Sequence, residues 1–109
     1  MAAEKLDPQQ ALLKALGHPV RKELLTLCLE ADEPKSPKGL ALETHQGKGS
    51  FEKHLSNVSY HVRTLAEYGA LELVETRPRR GSVEHLYRAA SLVEDVPWGR
   101  AALGLEDRA

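Results

Sequence analysis

Hydrophobic residues recur at helical spacing through the first two thirds of the chain. Asp7 followed by Pro8 predicts a helix start, because Asp is a favoured N-cap and Pro suits the first turn, and Gly17 predicts the end. Pro19 begins a second predicted helix. Its apolar positions form one stripe at Val20, Leu24, Leu27, Cys28 and Ala31 and a second strip at Leu25 and Leu29. Two apolar strips indicate that the helix is covered on two sides.

A short third helix and a longer fourth helix follow. Ser36 and Pro37 are typical of a cap and a first helical residue, and they predict the third helix near Gly39–His45. A breaker-rich turn over residues 46–50 precedes the fourth helix, which ends at Gly69. Its apolar stripe consists of Phe51, Leu55, Val58, Val62 and Leu65.

The period then changes to the alternation of strands. One strand is predicted between Leu71 and Thr76, a turn over Pro78–Ser82, and a second strand over Val83–Arg88. A lone hairpin is marginal in water, so it must pack on the helices. Four helices followed by a hairpin predict a mainly α fold with a small β-hairpin, the winged helix-turn-helix.

Two regions are predicted along the chain. Residues 1–90 form the winged helix-turn-helix DNA-binding domain, and residues 91–109 form a C-terminal tail with a short dimerisation helix. The helical face of the tail contains Trp98, Ala101, Ala102 and Leu105.

Composition narrows the class of protein. The chain has 109 residues, of which 41% are hydrophobic and 28% are charged, which fits one globular domain. No apolar run has the roughly 18–20 residues that cross a bilayer, and residues 1–7 lack a signal-peptide stretch. The single cysteine excludes an intrachain disulfide. We expect a small cytoplasmic protein with no membrane partner.

Charge is unevenly distributed along a nearly neutral chain. The net charge is −1, which argues against unspecific polyanion binding as the whole function. Between residues 76 and 88, however, four arginines face one acid, Glu84, a local charge of +3. Residues 94–109 carry a local charge of −2. A basic segment of this kind is typical of an element that contacts phosphates.

The fourth helix has a polar face opposite its apolar stripe. Ser56, Tyr60, Arg63 and Thr64 lie on that face, and Asn57 lies at its edge. Arg63 can contact guanine or a phosphate, and Asn57 can pair with adenine. The alternative is an ordinary solvated face. Such faces usually carry Glu/Lys pairs, whereas between Lys53 and Glu72 the acids are limited to Glu67.

Five segments together resemble the ArsR-like winged-helix regulators. They read ALGHPVR, LSNVSYHVRTL, YGAL, PRRG and HLYR, and the resemblance spans residues 11–88. It implies a bacterial or archaeal transcription regulator, usually a homodimer on a palindromic operator. The resemblance assigns base reading to Ser56, Asn57, Ser59, Tyr60 and Arg63. It assigns the role of the wing to Arg77, Arg79 and Arg80.

Two features depart from that family. The segment from Gln46 to His54 is longer than the usual tight turn, which leaves the start of the fourth helix open, as early as Ser50. Metal-sensing members carry paired cysteines on the third helix, where residues 40–45 here contain none. The tail also lacks histidine. We therefore predict no metal site and no cofactor.

Other reactive side chains have structural interpretations. Cys28 is predicted to pack in the core, His18 to cap the second helix, and His61 to pack or cap. A zinc site at His45 and His54 is the alternative to a structural role for that pair, although no acid or cysteine lies nearby. Ser59 and His61 are two residues apart on a helix, so they do not face each other as a nucleophile and base would. No enzyme is predicted.

We interpret the protein as a sequence-specific DNA-binding transcriptional regulator that acts as a homodimer on a palindromic operator in double-stranded DNA. The alternative is a winged-helix module that binds a protein, such as polymerase or another regulator, without sequence-specific DNA binding. The acidic tail favours the alternative slightly, and the arginine-rich wing favours DNA more. The sequence identifies no small-molecule effector. The predicted DNA-binding residues are Ser56, Asn57, Ser59, Tyr60, Arg63, Thr64, Arg77, Arg79 and Arg80.

The predicted dimer surface comes from the first two helices and the tail. Leu12, Leu16 and Trp98 are its candidate residues, because we expect so small a core not to bury them all. The three wing arginines are expected to lack a nearby buried acid, and Glu84 can neutralise at most one of them.

Overall fold

The computed structural model describes residues 6–105. Within that range the chain forms six helices and two strands. They are α1 (Pro8–Ala15), α2 (Pro19–Glu30), α3 (Pro37–Thr44), α4 (Phe51–Glu67), β1 (Leu71–Arg79), β2 (Ser82–Ala89), α5 (Leu92–Asp95) and α6 (Gly99–Ala102). Four helices followed by an antiparallel hairpin make a winged helix-turn-helix, so the predicted fold class is confirmed.

The ends of the longer helices follow local side-chain chemistry. The N-caps of α1 to α4 are Asp7, His18, Ser36 and Ser50, and the side chain of each accepts a hydrogen bond from a backbone N–H in the first turn. The sequence predicts the caps of α1, α2 and α3 at these positions, including the one at His18, and leaves the start of α4 open. At its other end α4 stops at Gly69, whose φ of 84° favours glycine.

The connection between α3 and α4 has the shorter of the lengths that the sequence left open. Because α4 begins at Phe51, His54 lies inside the helix, and the turn spans residues 45–50. The early start next to Ser50 is therefore the one that the structure has. The Ser50 hydroxyl accepts hydrogen bonds from the N–H groups of Glu52 and Lys53 at 3.1 and 3.3 Å, which fixes the early start.

Side chains from α1 to α4, from β1 and from the segment after residue 90 form one core. Its completely buried side chains include Leu12, Leu24, Leu25, Leu40, Val58, Val62, Leu65, Leu71 and Val93. Leu25 and the partly buried Leu29 pack on this same core, so the second strip of α2 is covered within the chain. The segment after residue 90 also contributes, through Leu92 and Val96.

The prediction that Leu12 lies at a dimer surface is wrong. Leu12 is completely buried, because α5 packs on α1 and covers that side of it. Leu16 and Trp98 are partly buried against the core. The Trp98 indole Nε1 donates to Gln9 Oε1 at 3.1 Å, which fastens the C-terminal segment to α1. Residues 106–109 of the predicted tail lie outside the described residues.

The hairpin is longer than the sequence suggests. β1 continues through Pro78 to Arg79, where a turn was expected to begin, and the reversal is left to Arg80 and Gly81. Gly81 has a φ of 67°, which permits this short turn. At the base, the backbone N–H groups and carbonyls of Lys35 and Tyr87 exchange two hydrogen bonds of 2.8 Å. These bonds fasten β2 to the residue that precedes the cap of α3.

None of the described helices combines the length and the apolar character that a membrane-spanning segment requires.

Candidate nucleic-acid interface

The polar face of α4 points away from the core. Tyr60 is 57% exposed, and Ser56, Asn57 and Arg63 are also exposed. Ser59 and Thr64 are partly buried. The opposite side of the helix contains the completely buried residues Val58, Val62 and Leu65. The geometry leaves one long face of α4 available to a partner.

Among the predicted residues of α4, Thr64 forms a side-chain hydrogen bond within the helix. Its hydroxyl donates to the carbonyl oxygen of Tyr60 at 3.1 Å, within the helix itself. The hydroxyl proton is therefore occupied, and what Thr64 offers a partner is an acceptor oxygen and a methyl group.

Two of the three wing arginines are paired with carboxylates of the hairpin. Arg77 Nε donates to Glu75 Oε2 at 2.7 Å, and Arg79 Nη2 donates to Glu84 Oε1 at 3.0 Å. The local charge of +3 given above for residues 76–88 does not include the first pair's carboxylate, because Glu75 precedes that range. Within the described residues, Arg80 at the tip has no recorded ion pair.

A groove of about 690 Å³ runs between the start of α3, the middle of α4 and β2. It brings together three of the predicted residues, Ser59, Arg63 and Arg79. Ser56 and Asn57 lie instead at a second depression beside the first turn of α4. The remaining predicted residues, Tyr60, Thr64, Arg77 and Arg80, lie outside the groove.

The groove also contains residues that the sequence did not single out. Lys38 enters it from the first turn of α3, and Ser82 and His85 enter it from β2. Lys38 was detectable in principle, since Ser36 and Pro37 already marked the start of that helix. Ser82 and His85 depended on the strand register, which the sequence did not specify.

The electrostatics of this surface favour an anionic partner. Lys38, Arg63 and Arg79 line the groove with one acid, Glu84. The hydrogen bond from Arg79 lowers the pKa of Glu84 against a smaller opposing effect of desolvation, and the charges of Arg79 and Arg77 and the nearby Ser36 hydroxyl lower it further. The carboxylate of Glu75 raises the pKa of Arg77 through its hydrogen bond. The raised pKa of Arg77 and the lowered pKa of Glu84 both favour the charged form at neutral pH.

His61 occupies the other side of α4 and packs, as predicted. It is 7% exposed, its ring lies 4.4 Å from that of His18, and its Nδ1 lies 3.1 Å from Arg21 Nη1. Burial lowers the pKa of His61, and the nearby His18 and Arg21 lower it further. The neutral ring can thus accept a hydrogen bond from the guanidinium. This is a structural role and differs from that of a general base.

The remaining reactive side chains form no recognisable centre in the described residues. The His45 and His54 rings are 5.2 Å apart, and His54 Nε2 lies 2.8 Å from the hydroxyl oxygen of Thr44. Across residues 6–105, no cluster of three or more His, Cys, Asp or Glu is placed to hold a metal ion. Cys28 is buried in the core as predicted, and burial raises its pKa to about 11, so the thiol is neutral.

Comparison with known proteins agrees with this geometry. A family model described as a helix-turn-helix domain matches residues 16–74, which span α2, α3, α4 and the beginning of β1. Neither the curated proteins nor the solved structures gave a match. The match covers more than half of the chain and includes both helices of the motif. The chain therefore belongs to the helix-turn-helix domain family.

Proposed function

We propose that this protein is a sequence-specific transcriptional regulator of the ArsR-like class, which binds a palindromic operator as a homodimer. The observation that carries the proposal is the juxtaposition of an exposed, acid-poor face of α4 with a basic wing across one groove. A duplex offers the matching features, since bases are exposed in its major groove and phosphates flank it.

In this proposal α4 enters the major groove. Arg63 and Asn57 contact base edges, while Ser56, Ser59 and Tyr60 contact the groove wall. Their exposure and their common face on one rigid helix support this assignment. Thr64 lies further along the same helix and contributes its oxygen and methyl group.

The wing follows the sugar–phosphate backbone beside the helix. Arg79 faces the same groove as Arg63, which is where the strand between the major and minor grooves would pass. Arg80 at the hairpin tip supplies an unpaired cation, and Arg77 supplies a cation already paired with Glu75. Contacts to phosphate of this kind position a protein without reading sequence.

Homodimer formation is supported by an exposed apolar side chain on α1. Leu13 is 63% exposed there, one helical turn after Gln9, which contacts Trp98. A twofold dimer through this region would present two α4 helices to half-sites about 34 Å apart, one helical turn of DNA. We propose residues 1–90 as the DNA-binding domain and the segment from residue 91 onward as part of the dimer surface.

Selection from a random duplex pool at fixed salt tests the proposal. Enrichment of a palindrome is the expected result. Absence of enrichment would contradict sequence-specific binding.

One observation favours a protein partner as the second candidate function. Leu73, Val74 and Val83 on the hairpin are 48%, 43% and 54% exposed, an apolar surface that DNA contact does not require. A module of this kind would give no enriched duplex in the same selection.

A further inference from the structure

The carboxylate of Glu84 holds an arginine of the wing beside the helix-turn-helix. Its Oε1 accepts hydrogen bonds from Arg79 Nε and Nη2 at 3.1 and 3.0 Å. Ser36, the N-cap of α3, lines the same groove as this pair. Glu84 therefore holds Arg79, at the end of β1, at the groove beside α3 and α4.

The strand that carries Glu84 is fastened to the start of α3. Ser36 is buried, and its hydroxyl oxygen accepts the Gly39 N–H at 3.0 Å as the cap of α3. The preceding residue, Lys35, exchanges two backbone hydrogen bonds with Tyr87 of β2. β2 is thus fixed relative to α3, and the Glu84 carboxylate on β2 holds the guanidinium of Arg79.

Glu75 offers an instructive contrast. It pairs with Arg77 two residues along the same exposed strand, and its contacts do not extend to α3. Both pairs remove about the same charge from the wing, but only the pair of Glu84 and Arg79 lines the groove beside α4. Charge and placement can therefore be separated experimentally.

We propose that Glu84 is a positioning residue that fixes Arg79 for the phosphate of the operator backbone and so contributes to sequence discrimination. The inference rests on the proposed function. A fixed guanidinium loses little side-chain freedom when it binds a phosphate. This advantage applies when the DNA backbone lies next to Arg79, as it does once α4 contacts its preferred bases. On other sequences the same fixed cation is misplaced, and the Glu84 charge repels the strand.

Glu84→Gln is the central variant, because the side chain keeps its length while the charged contact to Arg79 is lost. We expect the ratio of affinities for the selected operator and a random duplex to fall about two- to tenfold, the cost of ordering one side chain. Affinity for the random duplex should be unchanged or higher, since a negative charge has been removed.

Two matched variants separate positioning from charge. Glu75→Gln removes the same charge from the same hairpin, and it should shift both affinities together and leave their ratio unchanged. In an Arg79→Ala background, Glu84→Gln should likewise leave the ratio unchanged, because the side chain it acts through is absent.

Glu84→Asp keeps the charge but shortens the side chain by one methylene, so it should weaken the contact to Arg79 and lower the ratio as well. Thermal unfolding will show whether Glu84→Gln folds. If it does not, Glu84→Asp tests the same contact. Three results would overturn the inference. The first is an unchanged ratio of affinities in the folded Glu84 variants, and the second is an equal fall of that ratio with Glu75→Gln. The third is a fall caused by Glu84→Gln that persists in the Arg79→Ala background. A wild-type protein without any duplex preference would overturn the proposed function itself.

Discussion

Arg21 Nη1 lies 3.1 Å from His61 Nδ1, and this contact joins α2 to the buried side of the helix that we propose reads DNA. The same guanidinium donates from Nε to the Ala15 carbonyl oxygen at 2.7 Å, at the end of α1. One arginine therefore holds three helices together, with a histidine as one of its acceptors. The contact depends on an unprotonated Nδ1, which makes it sensitive to pH.

We expect the free energy of unfolding to decrease as pH falls through the ordinary histidine range. Folding lowers the pKa of His61, so the unfolded chain binds the proton more strongly. The stabilisation is complete above pH 6.5, the ordinary pKa, and is lost as pH drops from there towards the lower pKa of the folded state. The groups that face the ring are His18, Arg21 and Tyr60.

Urea unfolding between about pH 8 and about pH 5.5 measures this dependence. His61→Gln retains an acceptor for Arg21 and should make the dependence shallower. His85→Gln, at an exposed position on β2, is the control and should behave as wild type. Identical pH dependence in all three proteins would show that His61 is not the responsible group.

Base reading by α4 predicts selective losses. Arg63→Ala should weaken binding to the selected operator by about 1–3 kcal/mol while binding to random duplex changes little. Tyr60→Ala should act in the same direction, because Tyr60 is exposed on the same face. Fluorescence anisotropy with both duplexes measures the difference. Equal losses on the two duplexes would mean that these side chains contact phosphate alone.

The wing should determine much of the salt dependence. Replacement of Arg79 and Arg80 together by alanine should weaken binding to the operator and to random duplex. It should also flatten the log–log salt slope by roughly one to two per subunit, since each neutralised phosphate contributes about 0.9. Both side chains are exposed, so the unfolding midpoint should be unchanged. An unaltered slope would show that the wing does not reach DNA.

Adjacent leucines on α1 separate folding from association. Leu12→Asp places a charge at a completely buried position and should prevent stable folding, at a cost of about 3 kcal/mol or more. Leu13→Asp changes an exposed residue and should give a folded monomer with weak operator binding. Circular dichroism and sedimentation distinguish the two outcomes. A folded Leu13→Asp dimer would remove this surface from the proposed interface.

Gly99 provides a test of the packing of the C-terminal segment. A Cβ at this position would lie 2.1 Å from the carbonyl oxygen of Val93, so Gly99→Ala must displace backbone. We expect it to destabilise the fold by about 1–3 kcal/mol. Gly39→Ala is the comparison, because its nearest neighbour would be the Ser36 hydroxyl oxygen at 3.3 Å. Equal thermal midpoints for wild type and Gly99→Ala would contradict the packing described.

The sequence by itself determined those features that depend on neighbouring residues. Helix starts at Pro8, Pro19 and Pro37 follow from caps and first-turn prolines, and the buried stripe of α4 follows from helical spacing. The fold class emerged from the same local patterns, because a change of period from helix to strand is visible in the order of residues.

Tertiary structure decided what lies next to what. The sequence left α1 uncovered at Leu12, whereas α5 packs there, because residues far apart in the chain meet only when the core closes. It also gave no sign that Glu84 would hold Arg79 at the groove beside α3 and α4, since that placement depends on strand register and on the docking of β2 against α3. Local spacing limits backbone conformation, but contacts between distant elements are determined by the packing of the whole domain.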